Sequence, residues 1–120
     1  MNVTNPDLVI VRGINSDWFE KNLSEFWIGF GGSPQATPKE DAFYVGLYIG
    51  APVSSITHIG IVESINRYDD GADFNLKTII KLKNPVIPNH PIRKHENWDL
   101  SQFGLTRVQM ENFRLQLSTI

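Results

Sequence analysis

Ala42-Phe43-Tyr44-Val45-Gly46-Leu47-Tyr48-Ile49-Gly50, then Ser55-Ile56-Thr57-His58-Ile59-Gly60-Ile61-Val62-Glu63-Ser64-Ile65-Asn66, then Phe74-Asn75-Leu76-Lys77-Thr78-Ile79-Ile80-Lys81-Leu82-Lys83 are three successive strand-forming runs. The first is aromatic and apolar throughout, as a strand covered on both faces requires. In the second, Thr57, Ile59, Ile61, Glu63 and Ile65 share one face, while Ile56, His58, Gly60, Val62 and Ser64 share the other. In the third, Phe74, Leu76, Thr78, Ile80 and Leu82 face inward, and Asn75, Lys77, Ile79, Lys81 and Lys83 face outward. Ala51-Pro52-Val53 turns the chain between the first pair, and Asp69-Asp70-Gly71 is a strong reversal signal between the second. Lysines along one strand face also protect a sheet edge from further pairing.

On the N-terminal side, Asp7-Leu8-Val9-Ile10-Val11-Arg12-Gly13 has the composition of a buried first strand. Ser16-Asp17 caps a short helix over Trp18–Leu23, and Phe26-Trp27-Ile28-Gly29-Phe30 returns to strand composition. The polar loop from Gly31 to Asp41 is long for a compact domain, and such loops are often functional or mobile. On the C-terminal side, Pro85, Pro88 and Pro91 exclude a central strand because each lacks a backbone donor. The pair Thr106 and Gln109 forms a capping box, Leu105 with Met110 a hydrophobic staple, and Met110, Phe113, Leu117 and Ile120 one apolar stripe. Consecutive strands with helices toward the ends predict an α+β domain on an antiparallel sheet of five to six strands, curled into a small barrel or pseudo-barrel.

A chain of 120 residues has room for one domain, over residues 1–120. With 41% hydrophobic and 20% charged residues it is no disordered polymer, and without cysteine it has no disulfide, thiolate nucleophile or Cys-based metal site. The opening residues carry no basic, apolar leader, and the uncharged run Ala42–Val62 is too rich in Gly, Pro and Ser to be one apolar helix. The expectation is a cytoplasmic protein with no membrane partner. A net charge of −2 conceals an uneven distribution: between Phe74 and His95 stand Lys77, Lys81, Lys83, Arg93 and Lys94 and no acid. Such a strip suits phosphate contacts.

Several kinds of chemistry lack their residues. Ser54 and His58 share a strand face but stand roughly 13 Å apart, and Ser55 points the other way, so no serine–histidine nucleophile forms. His90, His95 and Glu96 fall on a proline-broken stretch without metal-ligand spacing, and no phosphate-cradling glycine motif is present. Pro88–Arg93 fits the loose pattern of SH3-type ligands, a common match by chance. No cofactor is expected. What remains is an excess of aromatic residues, Trp18, Phe26, Trp27, Phe30, Phe43, Tyr44, Tyr48 and Trp98, beside positive charge. Rings with polar tips line pockets and stack on bases.

The segments Ala42–Gly50 and Ser55–Ile65, followed by the amphipathic strand Phe74–Lys83 and the Pro-containing Asn84–Ile92, resemble the central part of PUA-like domains of the EVE and ASCH type. The resemblance covers residues 42–92 and departs where Glu40-Asp41 stands in place of a Gly-Asp. It implies a compact pseudo-barrel whose pocket holds a nucleobase, often a modified one, in RNA or DNA. Tyr44 and Tyr48 then fall on the aromatic strand and His58 opens the next; Trp27 joins them on an assumed strand order. The implied partner is single-stranded nucleic acid or a flipped base, with Lys77, Lys81, Lys83, Arg93 and Lys94 on its backbone. ASCH-type relatives hydrolyse acylated cytidine, but no Lys/Thr/Glu catalytic set is identified in this chain. A small hydrolase or a protein-interaction module are the alternatives to a binding domain.

Overall fold

The computed structural model describes residues 1–22 and 27–118, so Leu23, Phe26 and Ile120 of the sequence reading lie outside the described residues. The strands are β1 (Leu8–Ile14), β2 (Trp27–Gly31), β3 (Tyr44–Ile49), β4 (Ser55–Tyr68), β5 (Gly71–Val86) and β6 (His95–Asp99). The helices are α1 (Ser16–Asn22) and α2 (Arg107–Ser118), with short 3-10 turns at Pro34–Ala36 and Leu100–Phe103. All strands join one sheet in the order β2-β5-β4-β3-β1-β6. The α+β class is as expected, but the sheet is mixed rather than antiparallel, because β1 runs parallel to β3 with Val9 opposite Tyr44 and Ile14 opposite Ile49. That pairing follows from connectivity: α1 and β2 intervene between the two strands, giving a crossover long enough for parallel neighbours.

The sheet is open, not a closed barrel: among the described residues no backbone pairing joins β2 to β6. It is nevertheless strongly curled. In a flat sheet β2 and β1, four places apart, would be separated by about 19 Å. Instead the Arg12 Nε on β1 donates to the Gly29 carbonyl on β2 over 3.2 Å. The Phe30 ring of β2 meets the His95 ring of β6 edge-on with centroids 5.9 Å apart. Side chains, not strand pairing, therefore bridge the two ends of the sheet.

The curl separates two buried clusters. Inside it lie Leu8, Ile10 and Ile14 of β1, Ile28 and Phe30 of β2, Val45, Leu47 and Ile49 of β3, and Val62, Phe74 and Leu76, with Trp18 and Phe19 of α1 packed against them. On the other side, Val9, Val11, Tyr44, Tyr48, Ile56, Ile59, Ile61 and Leu82 are covered by Leu100, Phe103 and Phe113. The simple alternation expected for β4 and β5 is corrected here. Register shifts between Ile56 and His58, and again between Ile61 and Ser64, move the inward set from one face to the other. Phe74 and Leu76 therefore enter the first cluster, while Leu82 and Ile80 join the second. A bulge inserts one residue on one strand and so reverses the parity of everything beyond it.

The loop after β2 is well anchored. Ser33 Oγ accepts from the Ala36 amide, and Thr37 donates to the Ser33 carbonyl. Arg67 of β4 then reaches Asp41 at 2.7 Å and the Pro38 carbonyl at 2.7 Å. At the other end of the chain, Thr106 and Gln109 form the expected capping box, with the Thr106 amide donating to Gln109 Oε1 at 2.8 Å and the Gln109 amide returning to Thr106 Oγ1 at 3.2 Å. Phe113 is the buried residue of α2, 4% exposed, with Met110 and Leu117 partly buried beside it. Replacing Phe113 by Ala should lower the unfolding free energy by about 3–5 kcal/mol in chemical denaturation. A midpoint equal to that of the wild type would show that α2 adds nothing to the core.

Candidate nucleobase-binding cleft

Strand β1 ends in Arg12-Gly13-Ile14, and the chain turns at Asn15 into α1. The side chain of Asn15, rather than Ser16, caps this helix: its Oδ1 accepts the amides of Asp17 at 2.8 Å and Trp18 at 3.3 Å. An Asx cap of this kind fixes the first turn and so aims Trp18. Opposite, Trp27 opens β2. Gly29 leaves room for it, since a Cβ there would stand 3.0 Å from the Trp27 ring. The two indoles meet edge to face, centroids 6.2 Å apart and planes at 90°. Between β1, α1 and β2 lies a cleft of about 290 Å³ lined by Arg12, Gly13, Asn15, Trp18, Trp27 and Gly29. Its size is at the lower end of small-molecule sites and suits one planar ligand.

Arg12 is the polar centre of this cleft. Besides Gly29, its Nη1 donates to the carbonyls of Gly13 at 2.9 Å and Lys94 at 3.3 Å. Its guanidinium carbon sits 5.6 Å from the Phe30 ring centroid, a cation–π contact. Gly13 is needed beneath it, because a Cβ at this position would come within 2.1 Å of the Ile92 carbonyl oxygen. Burial pushes the Arg12 pKa down from its ordinary value.

Of the residues singled out from sequence, Trp27 lies on the cleft, 38% exposed. Tyr44 and Tyr48 do not line it: both are buried in the cluster beneath α2, where the Tyr44 ring is 6.2 Å from Phe113. His58 does not line it either. Its Nδ1 is 2.6 Å from Thr57 Oγ1, its ring is 4.9 Å from Phe19, and burial and then the charge of Lys81 hold its pKa below the usual histidine value. The positive strip is divided. Lys77 donates to the Gln116 carbonyl of α2 at 2.8 Å, whereas Lys81 is the cross-strand partner of His58. Lys81 and Lys83 are exposed on the part of β5 beyond the reach of β2, which pairs only with Gly71–Asn75. Arg93 and Lys94, also exposed, precede β6 and border the cleft through the Lys94 carbonyl. Trp18 belongs to the excess of aromatic residues noted in the sequence, whereas Arg12 and Asn15 carry no such signal. The signal for Arg12 was its place in the inward parity of β1, with Leu8, Ile10 and Ile14.

The histidines near β6 have separate environments. His90 Nε2 lies 2.7 Å from a Glu96 carboxylate oxygen, whereas His95 turns toward Phe30. Among the described residues no group of His, Asp and Glu side chains is arranged to hold a metal ion. The His95 Nδ1 is buried without a hydrogen-bond partner among the described residues. Burial foremost, then the charges of Arg12 and Lys94, depress its pKa against the opposing pull of a hydrogen bond to the Ala36 backbone. No helix among the described residues is long and apolar enough to cross a membrane. No family model, curated protein or solved structure matches the chain.

The depressed pKa values of His58 and His95 mean that the unfolded chain binds these protons more readily than the folded one. Stability should therefore fall as the pH drops through about 6.5, the unfolded value, and the loss should level off below the folded-state values. Asp41 titrates in a lower window: the hydrogen bonds from the Asn2 amide and Arg67 outweigh its partial burial and lower its pKa. Thermal melts at about pH 7.5 and about pH 5 should show the drop, and a His58→Gln, His95→Gln variant should show much less of it. Equal drops in both proteins would assign the pH dependence to other groups.

Proposed function

We propose that this chain is a nucleobase-binding domain of the PUA-like kind, taking an unpaired or flipped base of RNA or DNA into the Arg12–Trp18–Trp27 cleft without covalent chemistry. The observation that carries this reading is the meeting of two indoles and a guanidinium around a space of about 290 Å³. An indole face accepts any base by stacking, a contact worth about 1–3 kcal/mol. The guanidinium adds hydrogen-bond donors for ring acceptors. Arg12 and Asn15 bring hydrogen-bonding side chains to the aromatic lining, which supports a binding role.

The basic residues enter unequally. Arg93 and Lys94 are adjacent in sequence to the cleft rim and are the first candidates for the nucleic-acid backbone. Lys81 and Lys83 lie on the exposed half of β5 and suit edge protection as well as phosphate contact, while Lys77 is engaged with α2. Tyr44, Tyr48 and His58 serve this reading as packing groups that support the sheet from which the cleft is built.

A fluorescence titration with short single-stranded oligonucleotides tests it directly. Trp27→Ala should weaken binding of all sequences by about 1–3 kcal/mol with folding intact. An Arg93→Ala, Lys94→Ala variant should reduce the salt slope by about one to two contacts' worth, and a Lys77, Lys81, Lys83 alanine triple by less. Absence of binding by the wild type at low salt, or equal affinity of Trp27→Ala, would remove the cleft from nucleic-acid recognition.

A further inference from the structure

Arg12 is a half-buried cation whose hydrogen bonds among the described residues all go to neutral backbone carbonyls, those of Gly13, Gly29 and Lys94. Among the described residues Asp41 pairs with Arg67 and Glu96 lies against the His90 ring, and no carboxylate pairs with Arg12. A guanidinium withdrawn from water is ordinarily balanced by a carboxylate, because an uncompensated charge there is costly. Its Nε and Nη1 are committed to the backbone, and its Nη2 has no hydrogen bond among the described residues. This charge stands in the wall of an aromatic cleft, where a ring and a charged group of one ligand can be met together.

Resting on the base-binding reading above, we infer that Arg12 supplies the counter-charge for an anion, and that the ligand of the cleft is a nucleoside phosphate. The ring lies against Trp27 and Trp18 while a phosphate oxygen accepts from Nη2 of Arg12. The guanidinium thus has two duties: its Nε and Nη1 hold β1 against β2 and the segment before β6, and its remaining nitrogen recognises the ligand. Planar guanidinium groups are suited to phosphate oxygens, and charge-assisted hydrogen bonds are the stronger kind. A free mononucleotide and a nucleotide within a strand present this same chemistry.

The test uses an Arg93→Ala, Lys94→Ala chain, so that neighbouring surface cations do not mimic the effect, and follows tryptophan fluorescence. Probes are adenosine and uridine, their 5′-monophosphates, inorganic phosphate, and a short oligonucleotide. The monophosphates should bind about tenfold or more tighter than the nucleosides, with an advantage that shrinks as salt rises. Arg12→Gln, if folded, should erase that advantage; the comparison of nucleotide with nucleoside stands without it. Nucleosides binding as tightly as nucleotides would overturn the role of Arg12 and leave base binding intact. Inorganic phosphate binding as tightly as the nucleotides, or no probe binding at all, would overturn both. Source is read in the wild-type chain, which keeps Arg93 and Lys94: a monophosphate bound more tightly than the oligonucleotide marks a free nucleotide as the ligand, and the reverse order marks a strand; both orders support the inference.

Discussion

The guanidinium of Arg12 is the contact on which the shape of this protein turns. A sheet ordered β2-β5-β4-β3-β1-β6 has free edges at β2 and β6, and no backbone pairing between them is present among the described residues. Strand twist alone curls a sheet but does not fix where its ends meet. Here the Arg12 side chain fixes it, holding the Gly29 carbonyl of β2, its own neighbour Gly13, and the Lys94 carbonyl before β6. The Phe30 ring lies beneath the cation and edge-on to His95, so the polar bridge is backed by an aromatic one.

Two glycines make this approach possible, for different reasons. Gly13 allows the Ile92 carbonyl to lie almost against β1, which brings Lys94 within reach of Arg12. Gly29 gives the Trp27 ring a place to lie along β2, turning it toward Trp18. The cleft is thus a by-product of an open sheet whose ends are bridged by side chains.

Much of this architecture was legible in the sequence. The runs 42–50, 55–66 and 74–83 became β3, β4 and β5, the turn at Asp69-Asp70-Gly71 fell between β4 and β5, and the capping box of α2 formed as its residues demanded. What the sequence concealed were non-local facts. The parallel pairing of β1 with β3 depends on where a crossover lands, and the register shifts near Val62 and Ser64 invert alternation without any glycine or proline at those points, whereas the shift opposite Thr57 takes in Pro85 of β5. For the same reason the lysines read as one face were distributed between α2 and His58. Of the candidate site, Trp27 was placed with Tyr44, Tyr48 and His58 on an assumed strand order, and the structure separates them: Trp27 lies on the cleft, whereas Tyr44 and Tyr48 pack in the core because both faces of β3 are buried. Arg12 was not legible as a site residue, because its partners at Gly29 and Lys94 lie far away in sequence and only the fold brings them together.

The central claim is that Arg12 holds β2 in place, and native-state hydrogen exchange residue by residue measures this most directly. Lysine retains the charge but lacks the planar fork that reaches several carbonyls together. In an Arg12→Lys chain the amides of Trp27–Gly31 should lose protection relative to wild type, while those of β3 and the paired part of β4 keep theirs. Unchanged protection of β2, or an equal loss across all strands, would contradict the claim that this one side chain ties the open end of the sheet.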